Sequence, residues 1–147
     1  MARARRAASG SAAVSVRVED ELTPEWMAGY PRSAAFDPAV VKAVMESGEA
    51  VAFARIDEGE VVAIGRAVVT GDWMGLQAVE VAPAHRRRGL ATKVVDTLLE
   101  WGASRGTVSA YLQVLPSNVA AMELYAGYGF ETHHAYRYLR PPDSDRR

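Results

Sequence analysis

Residues 79–95 read VEVAPAHRRRGLATKVV: a short apolar strand, Pro83, three consecutive arginines, Gly89, and then a helical pattern. That order decides the fold. Leu90, Ala91, Val94, Val95, Leu98 and Leu99 fall on one face of a helix predicted from Gly89 to Arg105, with Gly106 ending it. Upstream GLQAVEV (75–81) and downstream TVSAYLQVL (107–115) read as strands. Strand, long helix, strand is a parallel right-handed crossover. The first N–H groups of a helix have no internal partners and carry the positive end of its dipole. A strand feeding such a helix through a glycine makes an anion pocket that a ligand can approach closely. Arg86, Arg87 and Arg88 beside it can reach phosphates, and a pyrophosphate is the natural guest. The same arginines also read as an ordinary solvated charge run.

Working outward, VSVRV (14–18) alternates as a strand. Thr23 and Pro24 open one helix, and Asp37 and Pro38 open a second that Gly48 closes. EAVAFARI and EVVAIGRAVVTG flank DEGE, which predicts a hairpin turning near Glu58 and Gly59. PSNVAAMELYAGYG turns into a short helix, and FETHHAYRYL supplies the last strand or pair of strands. The expected architecture is α/β (α+β), a mixed and mostly antiparallel sheet with flanking helices. The expected domain covers residues 14–140, after a disordered basic tail (1–13) and before a frayed end (141–147).

The 147 residues are enough for one core, and 49% apolar with 24% charged residues is a globular balance. There is no cysteine, which excludes disulfides, thiolate metal ligands and a cysteine nucleophile. No apolar run approaches the ~20 residues of a membrane span, and a cytoplasmic location with no membrane partner is expected. The Arg/Ala/Ser-rich start faintly resembles a transit peptide or a nucleic-acid arm, and it also reads as a linker from a longer protein. Without its three arginines the chain keeps 14 basic and 18 acidic groups, a net of −4. That argues against a nucleic-acid partner, whose affinity runs on phosphate neutralisation, and weakly suits a cationic substrate.

The usual nucleotide-binding loop motifs are absent. RRRGLA instead resembles the Arg/Gln-x-x-Gly-x-Gly/Ala signature of the GNAT superfamily of N-acetyltransferases, with Arg86, Gly89 and Ala91 at its fixed positions. LQVLPSNVAAMELYAGYGF (112–130) is similar to the family's second signature, through Asn118, Leu124, Tyr125, Gly129 and Phe130. The resemblance covers residues 49–140 and implies a single GNAT-type domain. It also implies acetyl-CoA as co-substrate, no metal, and direct transfer to a primary amine of a small molecule or peptide. By the same likeness, the backbone of Val79, Glu80 and Val81 would hold the pantetheine arm like an added strand. One N–H near Val81 would polarise the thioester carbonyl. The N–H groups of Arg87, Arg88, Gly89, Leu90, Ala91 and Thr92 would cradle the pyrophosphate.

Tyr125 matches the family's general acid, and its other reading is a packed core tyrosine. Asn118 is either a helix N-cap or a contact to the cofactor arm. Some members carry a glutamate in the strand before Asn118, where this chain has Gln113, which cannot take a proton. Glu80 is the remaining carboxylate on the strands expected to line the cleft. It serves as general base only if Val79 and Val81 bury it; otherwise it lies on a wet strand face and a water relay serves. His85 is expected at the surface. His133 and His134, adjacent on a strand, point to opposite faces and make a poor metal pair. Trp26, Tyr30 and Trp73 read as core or rim, though the first two helices often border the acceptor site in this family. A non-catalytic acyl-CoA-binding regulatory module is the alternative function, and a homodimer stays open as the assembly.

Overall fold

The computed structural model describes residues 14–114, 117–132 and 138–140. The expected tails at 1–13 and 141–147, and His133 and His134, lie outside the described residues. The strands are β1 (Arg17–Glu19), β2 (Ala50–Asp57), β3 (Val61–Thr70), β4 (Trp73–Val81), β5 (Ser109–Gln113), β6 (Glu131–Thr132) and β7 (Tyr138–Arg140). The helices are α1 (Pro24–Ala28), α2 (Pro38–Met45), α3 (Leu90–Ser104) and α4 (Val119–Ala126). They surround one sheet in the order β1-β2-β3-β4-β5-β7-β6, parallel only between β4 and β5. This is the expected mixed architecture, and α3 is its crossover.

The caps sit where the local chemistry puts them. Thr23 accepts from the Trp26 N–H and Asp37 from the Ala39 N–H, each followed by a proline in the first turn. The hairpin turns at Gly59, with φ at +82°. Other boundaries moved. β1 starts three residues later than expected, yet Val14, Val16 and Val18 pack toward the core. Residues 31–35 form a 3-10 turn that the sequence reading did not contain. The fifth strand shrinks from 107–115 to Ser109–Gln113.

Each sheet face carries its own core. α3 lays Leu90, Val94, Val95 and Leu98 over Ala63, Ala67, Leu76 and Leu112 on one face. On the other, α1 and α2 bring Trp26 and Val41 against Phe53 and Ile64. Strands covered on both sides lose the simple apolar–polar alternation, which is why β2 and β3 read as nearly continuous apolar runs. Trp26 is fully buried, edge-on to Phe53 at 5.2 Å, and donates its indole N–H to the Gly65 carbonyl at 3.1 Å.

Gly65 is the pivot between the two layers. A Cβ there would lie 2.5 Å from Val94 Cγ1 and 3.0 Å from Leu98 Cδ1, so only glycine lets α3 sit this close. It also faces a bulge. Ile64 pairs with Glu80 and Arg66 with Gln77, leaving Ala78 and Val79 together opposite Gly65. Ala78 adopts a φ of +56°, in the left-handed region that side chains with a Cβ rarely occupy.

Candidate active site

The bulge determines which way each side chain of β4 points. Leu76, Val79 and Val81 belong to the core under α3. Gln77 pairs with Arg66 on the opposite face, where Ala78 and Glu80 join it. The expectation that Val79 and Val81 bury Glu80 is therefore not met: alternate residues of a strand face opposite ways, and Glu80 stands half-buried on the α1/α2 side.

Pairing between β4 and β5 ends at Leu76 and Leu112. Beyond that point β4 runs on to Val81 unpaired on this edge, while β5 ends at Gln113, held on its other edge by β7 through Leu112 and Gln113. The two parallel strands splay, and the wedge between them is a cleft of about 190 Å³. Leu76 to Glu80 form one wall and Leu112, Gln113 and Val114 the other. α4 closes the back with Asn118, Ala121 and Tyr125, and the 3-10 turn adds Tyr30 and Arg32 at the rim. A splayed strand exposes an unpaired backbone edge to the cleft, which an extended ligand can use.

Tyr125 is 5% exposed and packs edge-on to Phe130 at 5.7 Å. Its hydroxyl has no hydrogen-bond partner among the described residues, and burial pushes its pKa above the usual tyrosine range. A buried polar group without a partner is costly, so its position on the cleft wall calls for a visitor that accepts a proton or a hydrogen bond. Asn118 is the N-cap of α4, accepting from the Ala121 N–H at 3.1 Å, and it lines the same cleft. Both readings of Asn118 are thus compatible with its place.

At the outer end of β4, a 3-10 turn over Pro83–His85 leads into α3. Arg87 and Gly89 both take positive φ, +67° and +76°. The first backbone bond into α3 runs from the Lys93 N–H to the Gly89 carbonyl. Among the described residues the N–H groups from Arg87 through Thr92 have no backbone acceptor, and nothing lies within 4 Å of a Cβ built on Gly89. This is an open nest of donors at a helix start.

The three arginine side chains are not equivalent. Arg86 folds back, its Nε donating to the Val81 carbonyl at 3.0 Å. Arg88 grips both oxygens of Glu58 in the β2–β3 turn, at 3.0 and 2.6 Å, and touches His85 Nδ1 at 2.9 Å. The guanidinium holds the Glu58 carboxyl below the usual range. Arg87 extends into solvent. So two of the three anchor the loop, and the loop's backbone supplies the unpaired N–H groups.

Several site residues carry no linear signature. Arg32 reaches the cleft because of the unforeseen 3-10 turn, while Tyr30, which caps that turn, lines the cleft rim as its rim reading expects. Arg66 had a visible signal, a lone charge inside an apolar strand, yet only the fold brings it behind Gln77. Among the described residues there is no cluster of three His, Asp or Glu side chains able to hold a metal ion. None of their helices is long and apolar enough to cross a membrane.

Comparison with known proteins agrees with this geometry. Residues 1–139 match the family model described as probable histone acetyltransferase Rv0428c C-terminal. The chain is 36% identical over 90 residues to the uncharacterized N-acetyltransferase YobR of Bacillus subtilis, covering 60% of this chain and 36% of that protein. It is 37% identical over 84 residues to the probable histone acetyltransferase Rv0428c of Mycobacterium tuberculosis, covering 53% and 27%. The chain therefore spans only about a third or less of these relatives. The ribosomal-protein-S18-alanine N-acetyltransferase of Escherichia coli shares the fold at a TM-score of 0.65 and 22% identity, over 86% of this chain and 90% of that one. So does AAC(6')-Iy, solved with the bisubstrate analog CoA-S-monomethyl-acetylneamine, at a TM-score of 0.62 and 13% identity, over 82% and 94%. The chain belongs to the Rv0428c C-terminal family, and through it to the GNAT superfamily of N-acetyltransferases.

Proposed function

We propose that this chain transfers an acetyl group from acetyl-CoA to a primary amine by direct attack within a ternary complex. The observation that carries the reading is the splayed β4–β5 wedge with a buried Tyr125 hydroxyl on its wall that has no partner among the described residues. Family membership supports the same chemistry. In this reading the nest from Arg87 to Thr92 binds the pyrophosphate, and the free edge of Val79, Glu80 and Val81 binds the pantetheine arm. Ala78's left-handed backbone redirects the ladder at the point where the thioester carbonyl would sit, so an N–H of the bulge polarises it.

The amine nitrogen bonds to the acetyl carbon as the carbon–sulfur bond breaks. The leaving thiolate takes its proton from Tyr125, whose burial keeps it a phenol throughout the working pH range. The proton lost by the amine passes to water, the relay that remains because Val79 and Val81 do not enclose Glu80, and the half-buried Glu80 carboxylate orders that water. Glu80 faces the side of the sheet from which an acceptor would enter, beside Tyr30 and Arg32. The catalytic unit is residues 14–140, working in the cytoplasm without a metal, a nucleic acid or a membrane surface. A homodimer is the assembly to look for by light scattering.

Calorimetry with acetyl-CoA, together with CoA release in an amine screen, tests the proposal. Gly89→Asp sets a carboxylate against the phosphates where no protein atom is crowded, and because any side chain is strained at a φ of +76° its melting temperature is measured beside its affinity. Binding in the wild type and its loss in this variant is the expected result. Equal affinity in both removes the loop from the site, and binding without turnover on any amine leaves only a carrier module.

A further inference from the structure

Arg66 is 4% exposed and has no carboxylate beside it among the described residues. Its Nε donates to the Met45 carbonyl at 2.8 Å, one Nη to the Ser47 carbonyl at 3.3 Å, and the other Nη to Gln77 Oε1 in a short bond. Burial lowers its pKa, as expected of a cation surrounded by neutral acceptors. An arginine deep in the fold with only neutral acceptors needs a reason. Contrast Arg55, less deeply enclosed, where burial opposes the charge but Asp57 and Glu19 outweigh it at 2.9 and 2.6 Å.

The consequence falls on Gln77. A guanidinium can only donate, so the carboxamide must turn its oxygen toward Arg66. Its –NH2 end has no protein acceptor among the described residues and stays exposed on a residue that lines the cleft. One residue on, Ala78 begins the bulge, and Glu80 follows on the same face. Arg32, also on the cleft wall, has no ion-pair partner among the described residues. The cleft lining thus carries one carboxylate, at Glu80, together with the N–H donors of Gln77 and the positive charge of Arg32.

We propose that Gln77, oriented by Arg66, recognises the acceptor, and that the preferred acceptor is an α-amino acyl group, an amine whose neighbouring carbon carries a carbonyl or carboxylate oxygen. This rests on the transferase reading above. A strand advances about 3.3 Å per residue, so an amine held between Ala78 and Glu80 has Gln77 within reach of an oxygen three bonds from the nitrogen. A polyamine, by contrast, brings a second positive charge against Arg32 and Arg66. Gln77 acts on specificity and Arg66 is a positioning residue.

The test compares L-alaninamide with isopropylamine, which lacks the oxygen, using CoA release and KM values expressed for the free amine. Wild type should favour alaninamide. Gln77→Glu keeps an oxygen for Arg66 but removes the N–H donors, and should raise the alaninamide KM about 10-fold, as the loss of one good hydrogen bond does. Isopropylamine KM, acetyl-CoA affinity and the melting temperature should stay near wild type. Gln77→Met, which has neither donor nor acceptor, guards against an effect of the new charge and should give the same selective loss. Arg32→Gln separates the two sources of the chemistry: a loss confined to L-alanine assigns a free carboxylate, and no loss on alanine assigns a peptide carbonyl. Equal effects of the Gln77 variants on both amines, or none on alaninamide, overturn the inference and leave the transferase standing. No turnover with any amine overturns both.

Discussion

Removing one oxygen atom from Tyr125 should slow the enzyme and leave the fold as stable as before, or more so. Tyr125→Phe keeps the ring and its 5.7 Å edge-on contact with Phe130. The hydroxyl that is lost has no protein partner among the described residues, so no hydrogen bond to any of them is broken. A buried, unsatisfied hydroxyl costs about 1–3 kcal/mol of desolvation, which the variant avoids in part. We expect stability to rise by about 0–2 kcal/mol, and the melting temperature by up to ~6 °C for a chain of this size. Turnover should fall about 10²–10⁴-fold with little change in acetyl-CoA affinity, because a general acid acts as the thiolate departs. The pH dependence follows from the raised pKa. The phenol's contribution is fully present below the unfolded value near 10 and is lost as the pH rises toward the folded value. Wild type should lose up to about 1.4 kcal/mol per pH unit above pH ~10 from this group, a loss absent in the variant. Thermal melts at pH 7 to 11 and stopped assays of CoA release measure all of this. Undiminished turnover would refute the acid role. A stability loss of several kcal/mol would show that the hydroxyl has a partner inside the protein.

Three further outcomes check other parts of the argument. Gly65→Ala drives a methyl to 2.5 Å from Val94 and 3.0 Å from Leu98, so overpacking should cost about 1–3 kcal/mol. An unchanged denaturation midpoint would mean that α3 can step back freely. Asn118→Ala removes the N-cap of α4 and should cost about 1 kcal/mol. If acetyl-CoA affinity measured well below the transition also drops, Asn118 contacts the cofactor arm as well. Glu80→Gln should be slowest relative to wild type near neutral pH and recover in alkaline buffer, where the acceptor deprotonates by itself. A flat ratio across pH assigns the proton to water that Glu80 does not order or to amine already free in solution.

Much of the site could be read in the chain because its signals are local. The helix start at Gly89 and Leu90, the cap and turn of Asn118, and the hairpin at Gly59 each depend on a few neighbouring residues and were found in place. The end of β5 was misjudged for a physical reason. VSAYLQVL has strand composition throughout, but the strand stops pairing with β4 at Leu112 because its neighbour bends away at the bulge. Composition cannot report where a partner leaves. The arginine run shows the same limit: Arg88 is held by Glu58, thirty positions earlier, and no spacing rule links the two.

By itself, then, the sequence determined the element order, the parallel crossover and the glycine-led helix start, because periodicity and capping are properties of a dozen residues at most. Tertiary structure decided the rest. It chose the face on which Glu80 stands and the pairing of Arg66 with Gln77, and it left the Tyr125 hydroxyl without a partner among the described residues. One extra residue in β4, opposite Gly65, sets Gln77 and Ala78 on the same face and ends the symmetry of the ladder. Such a bulge is energetically defined by both strands and by the helices packed on each side, so no single stretch of chain contains it.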